Sequence, residues 1–92
     1  MSSPQVSSIT LRAIQGAPLR DERIRSTVEA TARAIAERTG IDLRGISMDD
    51  DAVTVELGAD RLAALGFAAE LRRVTGAWYA GKHAGESLWG QA

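Results

Sequence analysis

From Val6 onward the chain alternates: Ile9, Leu11 and Ala13 point one way and Thr10, Arg12 and Gln15 largely the other, the two-residue period of a strand buried on one face. Gly16 and Pro18 end this strand, and the period then changes. Ile24, Val28, Ala32 and Ile35 recur every three or four positions, which predicts a helix from Leu19 to Thr39 with Pro18 at its start and Gly40 as its stop. Arg25, Glu29, Arg33 and Glu37 alternate in charge on the other face, a pattern suited to water.

Ile41 and Leu43 open a second strand, but its inward set then shifts parity to Ile46 and Met48. One extra residue has to be absorbed, which predicts a bulge at Arg44 and Gly45. Asp49, Asp50 and Asp51 make the next turn, because a short carboxylate bonds nearby backbone amides. Val53, Val55 and Leu57 then alternate with Thr54 and Glu56, so the second and third strands form an antiparallel hairpin.

Asp60 is the expected cap of a second helix running to about Thr75, with Gly76 as its stop. At about 100° per residue, Leu62, Leu65 and Ala69 fall on one arc and Phe67, Leu71, Val74 and Trp78 on the opposite one. Either Gly66 divides the helix into two segments, or a continuous helix is apolar on both sides and needs a second surface. A two-fold dimer would supply that surface.

The order strand, helix, strand, strand, helix, carried by residues 6–75, resembles the split βαβ of the ferredoxin-like sandwich. That resemblance implies an α+β fold of two layers, in βαββα order, with both helices on one face and the third strand beside the first. The only candidate for a fourth strand is Glu86 to Gly90 in the glycine-rich C-terminal tail, which could add a short edge strand. The expected organisation is a disordered lead over residues 1–5, a single domain over 6–80 and a tail over 81–92.

Composition narrows the functional classes. With 92 residues there is room for one core, and 45% hydrophobic content with only 4% aromatics makes that core aliphatic and modest in area, which favours a homodimer. A net charge of −1 with mixed signs gives no field for nucleic acid or an anionic membrane, and the polar sheet face lacks the aromatic platform an RNA-binding sheet uses. The first residues lack a basic and apolar leader and no run approaches a membrane span, so the expected setting is cytoplasmic. The absence of cysteine removes disulfides, thiolate zinc sites and thiol catalysis.

The tail carries the candidate chemistry. Gly76 and Gly81-Lys82 have the spacing of a phosphate-binding loop, but His83 stands where a magnesium-binding hydroxyl belongs, and Trp78 and Tyr79 are bulky where the loop needs small residues. His83 is the only histidine, and the three aspartates lack the ligand alternation of a calcium loop, so no metal and no cofactor is expected. No nucleophile constellation supports catalysis, and no catalytic residue is assigned.

The resulting reading is a small non-catalytic interaction or regulatory module, homodimeric, with the second helix and the tail as contact surfaces and a further protein partner allowed. Leu71, Val74, Trp78, Tyr79, Leu88 and Trp89 are its candidate apolar anchors. The alternative is a small-molecule or anion-binding module, with a small enzyme as its least supported form, in which Arg72, Arg73, Lys82 and His83 meet a carboxylate or phosphate.

Overall fold

The computed structural model describes residues 5–90, so residues 1–4 of the expected lead and 91–92 of the tail lie outside the described residues. Its elements are β1 (Ser7–Arg12), a single 3₁₀ turn (Pro18–Arg20), α1 (Glu22–Thr39), β2 (Asp42–Met48), β3 (Ala52–Gly58) and α2 (Arg61–Lys82). The strands form a three-stranded antiparallel sheet in the order β1-β3-β2. The chain is thus a small α+β unit of one such sheet and two helices.

The register follows the alternation of the sequence. Ile9 pairs with Val55 and Leu11 with Val53, so their side chains share the face that carries the core, while Thr10 meets Thr54 on the outer face with a hydroxyl to hydroxyl bond of 2.8 Å. Between β2 and β3 the register shifts at Leu43 and Gly45, leaving Arg44 as the extra residue of the bulge that the parity change predicts. Without that residue, either the Leu43 or the Ile46 side of β2 would turn outward.

α1 begins later than the hydrophobic period suggests. The Asp21 side chain accepts from the Arg23 amide at 2.8 Å and so starts the helix at Glu22, while the Leu19 amide is drawn to the Asp50 carbonyl at 2.9 Å. Pro18 and Leu19 therefore belong to the separate 3₁₀ turn, with Leu19 fully buried. The acidic turn anchors this connector from below, since the Ala13 amide also donates to the Asp51 carbonyl at 2.7 Å. At its far end α1 stops at Gly40, whose φ of 76° is left-handed.

α2 is continuous from Arg61 to Lys82, through both Gly66 and Gly76. Gly66 does not divide it and Gly76 does not end it, because Trp78 and Tyr79 pack against the core and hold the following turns in helical form. The reversal comes later, where Ala84 (φ 54°) and Gly85 (φ 83°) adopt left-handed backbone. An expected domain boundary after residue 80 consequently falls inside the last turn of α2.

The chain then folds back onto itself. Leu88 and Trp89 are buried, Trp89 forms an isolated antiparallel bridge with Ala13, and its indole N–H donates to the Thr75 hydroxyl at 2.8 Å. Thr75 in turn donates to the Leu71 carbonyl, so each buried polar atom in this chain of bonds is satisfied. Trp89→Ala is expected to cost about 3–5 kcal/mol of stability through the cavity it leaves. Thr75→Val, which keeps the shape but orphans the indole N–H, is expected to cost about 1–3 kcal/mol; urea denaturation followed by circular dichroism measures both.

Candidate functional site

α2 organises the surface that can do something beyond holding the fold. Asp60 caps it by accepting from the Ala63 amide at 2.8 Å, and His83 closes it by donating its amide to the Tyr79 carbonyl at 2.9 Å. Because the helix is unbroken, its two apolar arcs stay opposed along its length. Phe67, Leu71 and Thr75 face the core, whereas Leu62 is 81% and Leu65 45% exposed. The arc with the larger side chains is turned inward because it buries more apolar area.

The ten residues singled out by sequence fall into separate places. Leu71, Leu88 and Trp89 are buried in their own chain, so they are not available as exposed anchors; packing in the shared core has already used them. Val74, Trp78 and Tyr79 are half-buried, and Trp78 and Tyr79 pack against the edge of the core. Lys82 and His83 stand together at the end of α2, where they border a cavity of about 220 Å³ with Asp21, Arg23, Ile24 and Trp78. The His83 ring stacks on Tyr79 with centroids 4.1 Å apart.

Arg72 and Arg73 lie elsewhere, facing β1, and each already has a partner. Arg72 donates to the Gly90 carbonyl and holds the tail, while Arg73 donates to Glu70 at 2.8 Å. Four residues read as one anion site are thus divided between two faces. The phosphate-loop spacing fails for a related reason: Gly76, Gly81 and Lys82 are helical, so the local backbone amides serve the helix ladder instead of wrapping an anion. Among the described residues no group of three or more His, Cys, Asp or Glu could hold a metal ion, and no helix is long and apolar enough to cross a membrane.

Of the residues that border the open edge of β1, sequence reasoning nominated only Arg72 and Arg73, and those for an anion site. Ile9, Leu11, Leu65, Ala69, Arg72 and Arg73 line a groove of about 450 Å³ between that edge and α2. A neighbouring cavity of about 410 Å³ continues it past Arg12 to Ile14 and Gly90. The available signal was the second apolar arc of α2, visible in the spacing of Leu62, Leu65 and Ala69.

Glu70 clamps the two helices on this side. Its carboxylate takes Arg73 of α2 at 2.8 Å and Arg38 of α1 at 2.9 Å. The Arg73 hydrogen bond, aided by the charges of Arg73 and Arg38 against some desolvation, holds the carboxyl below its ordinary value of 4.5. The same bond raises the Arg73 guanidinium. A lowered carboxyl contributes stability above its unfolded value and loses it as pH falls through the folded one. Glu70→Gln should therefore be less stable than wild type above about pH 4.5, with the difference shrinking as the pH is lowered through the folded value; urea midpoints across pH 2.5–7 test this.

Comparison with models of known protein families finds no match for this chain, and a search of curated proteins finds none with significant similarity.

Proposed function

We propose that this chain is a small non-catalytic protein-interaction module that self-associates through the exposed arc of α2. The observation that carries the reading is the unbroken helix with two apolar arcs, of which only one is spent on the core. Leucine at 81% exposure on a regular helix costs solubility and gives the isolated chain nothing in return. Gly66 and Ala69 beside Leu62 and Leu65 form a surface on which a second α2, running antiparallel, could seat its leucines over small residues.

The finer fold belongs to the same proposal. The order β1-β3-β2 with every pairing antiparallel, and a bridge at Ala13 on the far side of β1, is what a ferredoxin-like sandwich with a fourth strand reduced to Trp89 and its neighbours would give. In this reading the tail contributes indirectly, by bracing the helix that makes the contact. Anion binding has less support, since Arg72 and Arg73 are engaged away from Lys82 and His83.

Sedimentation equilibrium tests the self-association. The expected wild-type result is a mass that rises with concentration to that of a dimer. Leu62→Glu removes about 1.5 kcal/mol or more from each copy, so it should weaken the dimer at least on the order of a hundredfold. At concentrations low enough for both to be monomeric, its thermal midpoint should match wild type, because the side chain is exposed in the single chain. A wild-type chain that remains a monomer at the highest soluble concentration would overturn the reading.

A further inference from the structure

We infer that the open edge of β1, roofed by α2, is a strand-addition site for an extended aliphatic and acidic segment of another protein. The inference rests on the interaction-module reading but not on self-association.

The backbone supplies the first part of the argument. Gly90 donates its amide to the Arg12 carbonyl at 2.8 Å, and the Ile14 amide donates to the Leu88 carbonyl at 3.0 Å, so these β1-side groups face away from β3. The intervening Ala13 amide points the other way, to Asp51. Amide and carbonyl direction alternates along an antiparallel strand. Ser8 and Thr10 share the parity of Arg12 and therefore turn their backbone groups to the same outer side. Among the described residues the only pairing on that side is the bridge at Ala13. Among the described residues, Ser8 and Thr10 are thus a strand edge with donors and acceptors ready for another chain.

The groove sets the chemistry of the occupant. α2 packs against β1 and α1, and its Leu65 and Ala69 overhang the edge to form an apolar roof beside Ile9 and Leu11. An added strand would alternate its side chains between this roof and the polar outer face that carries Thr10 and Arg12. Aliphatic residues suit the first set. Arg12, Arg72 and Arg73 border the groove and its continuation, neither of which is lined by an acid, and the adjacent Glu70 is already shared by Arg38 and Arg73. That excess of cations calls for an acidic residue in the occupant, at the end nearest Gly90. An antiparallel second copy of β1 fits less well, because it would bring its own α2 into the space beneath the first.

The test uses the full chain carrying Leu62→Glu, which removes self-association and leaves the groove intact. A random hexapeptide library displayed on phage is panned on this chain, with counter-selection on the same chain carrying Ala69→Arg. Enriched sequences should alternate aliphatic and polar residues and carry an acid. A synthesised member should lose affinity at least about tenfold with Ala69→Arg, and about tenfold with Arg12→Glu, the latter recovered when its acid is replaced by lysine. Its binding should slow hydrogen exchange of the Ser8 and Thr10 amides, which should exchange freely in the chain alone. No enriched family, enrichment unaffected by Ala69→Arg, or Ser8 and Thr10 amides already protected in the free chain would each overturn the inference. A wild-type monomer with an enriched family defeats only self-association; a wild-type dimer with none defeats only this site.

Discussion

A buried indole N–H has to find an acceptor, and much of this structure follows from where Trp89 finds one. The Thr75 hydroxyl is fully buried on the inner face of α2, and the indole reaches it because the chain leaves the helix after Lys82 and turns back at Gly85. Satisfying one donor thereby fixes the direction of the last residues, the bridge to Ala13 and the closure of the core around Leu88. In water the same bond would be worth little, but inside the core its loss carries the full cost of desolvating both groups.

The tail also limits itself. Gly90 meets Arg12, and Arg72 caps the Gly90 carbonyl, so the described pairing beside β1 covers only one end of the strand. Beyond it Ile9, Leu65 and Ala69 border a groove, and Leu65 also lies with Leu62 on the exposed arc of α2. Edge and helix together form a continuous surface, which is why the same side bears both the self-association and the strand-addition proposals.

Much of the backbone was legible in the residues because local and global preferences agree there. The period of Ile24, Val28, Ala32 and Ile35 and the stop at Gly40 describe α1 well, and the parity change after Leu43 marks a bulge that the register contains. Gly76 was misleading for a physical reason: glycine permits a stop but does not impose one, and contacts by Trp78 and Tyr79 decide the outcome. The candidate surface was half legible. Helical geometry separates the two arcs of α2, but which arc meets the core depends on where β1 and α1 lie, and that is a property of the assembled fold. Leu88 and Trp89 have the composition of an interface anchor because a tail packed on its own domain uses the same chemistry as one packed on another.

Trp89 also imposes an order of events on the living chain. During synthesis β1, α1, the hairpin and most of α2 are all made before the residue that completes their shared core. Until then Thr75 lacks the indole that bonds to it and the core lacks Leu88 and Trp89, so the nascent chain displays a sticky, unfinished interior. Such an intermediate invites holding by chaperones, and a chain interrupted before Trp89 would keep that state and with it a lasting susceptibility to proteolysis.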